Sequence, residues 1–167
     1  MKKYIILIPI YNDRESLTEL IEKINSEIKG INSEISIVVI NDASSQQIIE
    51  DYQYTENISS FEIINMKANR GHARCIASGL KYIFEKKEFD YVIPMDGDGE
   101  DRPEEIKNFI QLAEQSDNKS IIGERIKRSE SLFFKFCYQF HNMAQARAYH
   151  TWRMSKRVPR IRQAVWR

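Results

Sequence analysis

The sequence contains no long hydrophobic run. Nothing in it approaches the roughly 20 apolar residues that a membrane-spanning helix needs. The opening Met1-Lys2-Lys3 leads into an apolar stretch, residues 4–8, that Pro9 soon interrupts. That stretch is too short for a secretory leader, so the start reads as cytoplasmic in character. Cysteine is scarce as well: Cys75 and Cys137 lie far apart without metal-ligand spacing, which predicts two reduced thiols and excludes a disulfide framework. The three histidines, His72, His141 and His150, form no ligand constellation. With no Ser-His-Asp or Cys-His arrangement either, hydrolase chemistry has no support. Disorder is not indicated, because 42% hydrophobic and 29% charged residues are ordinary for one globular domain.

Acidic residues are missing from one end. Seven of the 25 basic residues (Arg147, Arg153, Lys156, Arg157, Arg160, Arg162, Arg167) and none of the 24 acidic ones follow residue 141, leaving a net charge of −6 on residues 1–141. The sequence therefore divides into an acidic domain, 1–141, and a basic tail, 142–167. Composition changes at the same point, from Ile, Asn, Lys and Ser to Ala and Arg. A contact with anionic lipid or nucleic acid would explain this, and so would a C-terminus truncated or replaced relative to the preceding domain; the second is preferred. Trp152, Trp166 and the tail arginines have no recognisable fold around them, which argues against nucleic-acid binding.

In the body, apolar strands alternate with helices. Residues 4–8, 35–40, 61–65 and 91–95 read as buried strands, with a shorter one at 120–122. Ser16-Leu17-Thr18-Glu19 has the pattern of a capping box, followed by Leu17, Leu20, Ile21, Ile24 and Ile28 at helical spacing and Gly30 as a stop. A second helix is expected over 72–84, with Ile76, Ala77, Leu80 and Ile83 inward. A third opens at Pro103 and runs to about 113. Strands apolar on both faces predict an α/β fold with a parallel sheet, whose ligands bind beyond the carboxyl ends of the strands.

Each strand ends in a polar cluster. The first delivers Pro9-Ile10-Tyr11-Asn12-Asp13, the second Asn41-Asp42-Ala43-Ser44-Ser45, the third Asn69-Arg70-Gly71, and the fourth Asp96-Gly97-Asp98. Tyr11 can stack on a base, and Asp42 can accept from a base N–H or hold a ribose. Residues 69–72 lead into a helix N-terminus, which favours anionic groups. In an extended stretch Asp96 and Asp98 would point to one side, while Gly97 would let backbone approach a ligand closely. Such a carboxylate pair suits Mg²⁺ or Mn²⁺ bridging to phosphates. Asp96-Gly97-Asp98-Gly99 superficially matches the nucleophile loop of haloacid dehalogenase-type phosphatases, but it follows the fourth strand rather than the first and continues with Glu100. An EF-hand is excluded by Arg102 at the turn-glycine position and Lys107 at the bidentate-glutamate position.

Together with Ile8, Ile40 and Gly123-Glu124-Arg125, these ordered motifs resemble family 2 glycosyltransferases of the GT-A fold, particularly the polyprenyl (dolichyl) phosphate sugar synthases, over residues 4 to about 138. The resemblance implies a Rossmann-like, mostly parallel sheet flanked by helices, incomplete at its C-terminal side. It also implies metal-dependent, inverting transfer of a sugar from a GDP- or UDP-sugar to a polyprenyl phosphate or glycan acceptor. A non-catalytic nucleotide-sugar-binding remnant is the alternative. By the same resemblance Pro9, Tyr11 and Asp13 line the nucleotide pocket, Asp42 contacts the base with Ile40 beside it, and Arg125 contacts the nucleotide sugar. Asp96, Gly97 and Asp98 face the diphosphate and its Mg²⁺ or Mn²⁺, with Glu100 as a third carboxylate where the family often has Gln. Asp13 stands where Glu is usual, a shorter reach. The aromatic and basic residues from Ile126 to Tyr138 suit either peripheral contact with the inner face of a membrane or packing on the core.

Overall fold

In the computed structural model the apolar runs become parallel strands. The structure describes residues 1–46, 56–115, 121–123 and 164–166. The chain divides into two compact units, Met1–Gly123 with Arg162–Arg167, and Glu124–Ile161. The second unit lies outside the described residues, as do Cys137 and most of the basic tail.

The elements of the first unit are β1 (Lys3–Ile10), α1 (Arg14–Glu27), β2 (Glu34–Asn41), β3 (Ser60–Asn65), α2 (His72–Lys86), β4 (Tyr91–Pro94), a 3₁₀ turn (Pro103–Glu105), α3 (Ile106–Gln115), β5 (Ile121–Gly123) and β6 (Ala164–Trp166). The first four strands form one sheet, ordered β3-β2-β1-β4 and parallel throughout. Tyr4 lies between Ile35 and Tyr91, and Asn41 between Ile10 and Asn65. β5 and β6 pair in parallel, Ile121 with Ala164 and Gly123 with Trp166.

Both faces of the sheet are covered because its strands are apolar on both sides. Tyr4, Ile6, Ile8 and Ile10 pack with Leu17, Ile21 and Ile24 of α1 and Phe109 and Ile110 of α3. Ile5, Leu7, Val38, Ile40 and Val92 face the other way, onto Cys75 and Ile83 of α2. A buried Leu or Ile stabilises by about 1.5–3 kcal/mol over an exposed one, so α1 is held by its apolar stripe more than by propensity. Gly79 lets α2 lie close: a Cβ there would stand 2.5 Å from Leu7 Cδ1 and 2.7 Å from Ile40 Cγ1.

Several local expectations need correction: β3 is intermediate or exposed along its length rather than buried, and Ala77 is exposed on α2. The N-cap of α1 is Asp13, whose Oδ1 accepts the Ser16 N–H at 3.2 Å. The helix therefore starts before the Ser-x-x-Glu pattern, and Thr18 donates from within it to the Arg14 carbonyl at 3.0 Å. Asp96 and Asp98 lie beyond β4 in a turn, so strand alternation does not place them. Gly97 is needed for contact within the protein: a Cβ would come 2.9 Å from the Pro9 carbonyl oxygen and 3.0 Å from Ile10 Cδ1. Its neighbour is the end of β1, which accounts for the missing side chain without a ligand.

Candidate functional site

The chain runs from β1 outward to β2 and β3, then returns to insert β4 on the opposite side of β1. The order reverses between β1 and β4, and parallel α/β sheets generally hold ligands beyond the carboxyl ends of the strands at such a switch point. All four polar clusters hang at that edge.

The loops after β1 and β2 are tied together by Asn12. Its N–H donates to Ser44 Oγ at 2.9 Å, and its Oδ1 accepts the Ser45 N–H at 2.8 Å and the Ser45 hydroxyl at 3.1 Å. Asn12 takes a positive φ of 52°, a conformation that asparagine tolerates better than most residues. Tyr11 beside it is 52% exposed and free to stack, whereas Pro9 is buried within β1. Asp13 is engaged as the helix cap. Ile40 is buried against α2, and its carbonyl accepts the Cys75 thiol at 3.2 Å. Burial, reinforced by the charge of Asp42, pushes that thiol up to about 11, which removes Cys75 as a nucleophile at neutral pH.

Asp42 is only 2% exposed, and its partners come from the segment after β3. Its Oδ1 accepts the Arg70 N–H and its Oδ2 the Gly71 N–H, both at 2.8 Å. Gly71 has a φ of 83° and caps α2 without a side chain. That conformation suits glycine. The next residue, His72, reaches across to β4's loop, where its Nε2 lies 3.3 Å from Asp96 Oδ1.

Asp96 is held a second time through its backbone, its N–H donating to Asp101 Oδ2 at 2.8 Å. Asp101 is itself buried, at 7% exposure. Burial raises the Asp96 carboxyl above the usual aspartate range; His72 pulls it down, and Asp101, Asp98 and Glu100 add to the rise. Asp98 is exposed, and its Oδ1 accepts the Glu100 N–H at 2.9 Å, closing the turn. Four carboxylates crowd one loop, and the hard oxygen donors of Asp96 and Asp98 fit a divalent cation that would relieve their repulsion. Among the described residues no three His, Cys, Asp or Glu side chains are already gathered around one point. Asp96, Asp98 and Glu100 are therefore not a preassembled three-carboxylate cage.

The structure thus brings Tyr11, Asp42, Asp96 and Asp98 to one edge, places Asp13, Gly97 and Ile40 in supporting roles, and leaves Arg125 outside the described residues. Sequence reading missed His72 and Asp101. No spacing rule links position 72 to 96, and Asp101 resembles any solvated acid of a turn. No helix among the described residues is long and apolar enough to cross a membrane.

The chain is similar to known proteins in sequence and in fold. The family profile described as Glycosyl transferase family 2 matches residues 5–163. An undecaprenyl-phosphate 4-deoxy-4-formamido-L-arabinose transferase of Yersinia enterocolitica is 32% identical over 149 residues, covering 89% of this chain and 44% of that protein. The protein of the same name from Pseudomonas savastanoi pv. phaseolicola is 32% identical over 146 residues, covering 86% and 42%. The chain spans less than half the length of these relatives. Among solved structures, S. aureus TarS 1–349 superposes with a TM-score of 0.59 at 19% identity, covering 77% of this chain and 38% of that one. Its complex with UDP gives 0.57 at 21%, covering 78% and 38%. These likenesses bear out the GT-A fold.

Proposed function

The chain belongs to glycosyltransferase family 2, and from that membership we propose that it binds a nucleoside diphosphate sugar at the β1–β4 switch point for transfer of the sugar to a polyprenyl phosphate. The observation that carries this is the convergence of four strand-end loops on one edge, where the turn bearing the carboxylates of Asp96 and Asp98 packs on the end of β1, next to exposed Tyr11. The undecaprenyl phosphate in the names of relatives 32% identical supports the acceptor. UDP, which a structural neighbour holds, is the first nucleotide to test, and GDP the second.

Tyr11 supplies a ring face for the base. Asp96 and Asp98 would hold Mg²⁺ or Mn²⁺ together with donor oxygens, and Glu100 adds negative charge nearby. When bound, the cation supplies charge neutralisation for the departing diphosphate. A phosphate acceptor is already ionised at neutral pH, so a single inverting displacement needs no strong general base. Arg125 is the residue assigned to contact with the nucleotide sugar by family resemblance. Positioning and charge compensation dominate such a reaction.

Calorimetric titration with UDP, GDP and their sugar conjugates tests this, run with Mn²⁺, with chelator, and on an Asp98→Asn variant. The expected result is Mn²⁺-dependent binding of one nucleotide, lost in the variant. A folded chain that binds neither nucleotide under any condition overturns the proposal. Transfer to polyprenyl phosphate is measured in the same preparation, with α- or β-configured product reporting inversion.

A further inference from the structure

We propose that Asp42 and His72 are positioning residues that act on Asp96 through the segment 69–72, which joins the loop after β2 to the acidic turn after β4. Asp42 is buried, and both of its oxygens already hold backbone N–H groups, Arg70 and Gly71 at 2.8 Å each. A buried carboxylate with two charge-assisted bonds to one peptide segment fixes that segment strongly. The fixed segment ends at Gly71, whose φ of 83° aims the start of α2, and the next side chain, His72, meets Asp96 Oδ1 at 3.3 Å. Asp96 is thereby met on its carboxylate by the half-exposed His72 at ion-pair distance and held on its N–H by a hydrogen bond to Asp101. Hydrogen-bonded outer partners orient carboxylates that bind metals, and their loss weakens metal affinity. Asp42 thus serves the acidic turn from a distance, whether or not a base also touches it.

This inference rests on the proposed cation site at Asp96 and Asp98, and its test separates the two. Mn²⁺ binding to the full chain is followed by electron paramagnetic resonance of the free ion. The wild type is compared with His72→Ala, His72→Gln, Asp42→Asn and the Asp42→Asn/His72→Ala double variant, with circular dichroism confirming the fold. His72→Ala is expected to weaken Mn²⁺ about three- to tenfold, at or below the lower end of outer-partner effects. Gln, which still donates an N–H, is expected to recover most of that loss. Asn at 42 offers one acceptor oxygen and turns an amide N–H toward a backbone N–H. Asp42→Asn is therefore expected to match His72→Ala, and the double variant to be no weaker than the weaker single one, as for two residues on one relay. Unchanged or tighter binding in His72→Ala, failure of Gln to recover it, or additive losses overturn the inference while leaving the cation site standing. A wild type that binds no Mn²⁺ overturns both. If buried Asp42→Asn does not fold, Asp42→Glu replaces it: both acceptor oxygens are kept but displaced from the Arg70 and Gly71 N–H groups, and Mn²⁺ binding unchanged from wild type overturns the role of Asp42.

Discussion

Glu62 illustrates, at the scale of one residue, how an acid on a sheet edge is kept charged. Burial works to raise its carboxyl, but the Lys87 ammonium and the Tyr82 hydroxyl, each bonded to one of its oxygens, hold it below the usual carboxylate range. Lys87 also lies 5.9 Å from the centre of the Tyr82 ring. Because the folded-state value is depressed, this contribution to stability is present above the unfolded-state value and is lost as pH falls through the folded one. Glu62→Gln is expected to lower stability at pH 7 by less than about 1 kcal/mol, since Glu62 and Lys87 remain a third exposed. In urea titrations the difference should shrink as pH falls below the usual glutamate range and vanish only once the depressed folded-state value has been passed. Residue identity alone revealed little of this. Asp42 read as a ligand contact, and each of its oxygens also accepts an amide N–H from 28 or 29 positions on, a pairing no local pattern encodes. Asp13, read by resemblance as a nucleotide-pocket residue, also caps α1, a role the sequence pattern assigned to Ser16.

The elements were more legible. Residues 4–8 and 35–40 stand out as apolar runs, and each lies within an observed strand, because strands buried on both faces need continuous apolar sequence; residues 61–65 also lie in a strand, but at the sheet edge and only partly buried. The acidic turn was not legible. It resembles a strand continuation in sequence, and only β1, far away in the chain, explains why position 97 has no side chain. Gly97→Ala tests this. The nearest atom is the Pro9 carbonyl oxygen at 2.9 Å, which cannot yield without moving β1. The variant is expected to lose about 1–3 kcal/mol in urea denaturation. Since the turn must shift to admit the methyl group, Mn²⁺ affinity should fall with it. A variant with unchanged stability and affinity would show that the turn has slack.

For the unit Met1–Gly123, stability should be graded outward from β1. That strand pairs on both sides, and its residues 4–10 are all buried; β3 pairs with β2, and its residues are intermediate or exposed. Hydrogen exchange should therefore show β1 amides opening only near the global limit and β3 amides exchanging faster. Equal protection of the two strands would contradict this. The insertion of β4 beside β1 also has a consequence during synthesis. As the chain leaves the ribosome, β1 can gain β2 and β3 on one flank. Its other flank stays an unpaired hydrogen-bonding edge until Tyr91–Pro94 emerges. Nascent chains stalled before that point present a long apolar strand edge, a template for mispairing between neighbours on a polysome. Chaperone capture of these intermediates should therefore end when the fourth strand has cleared the exit tunnel.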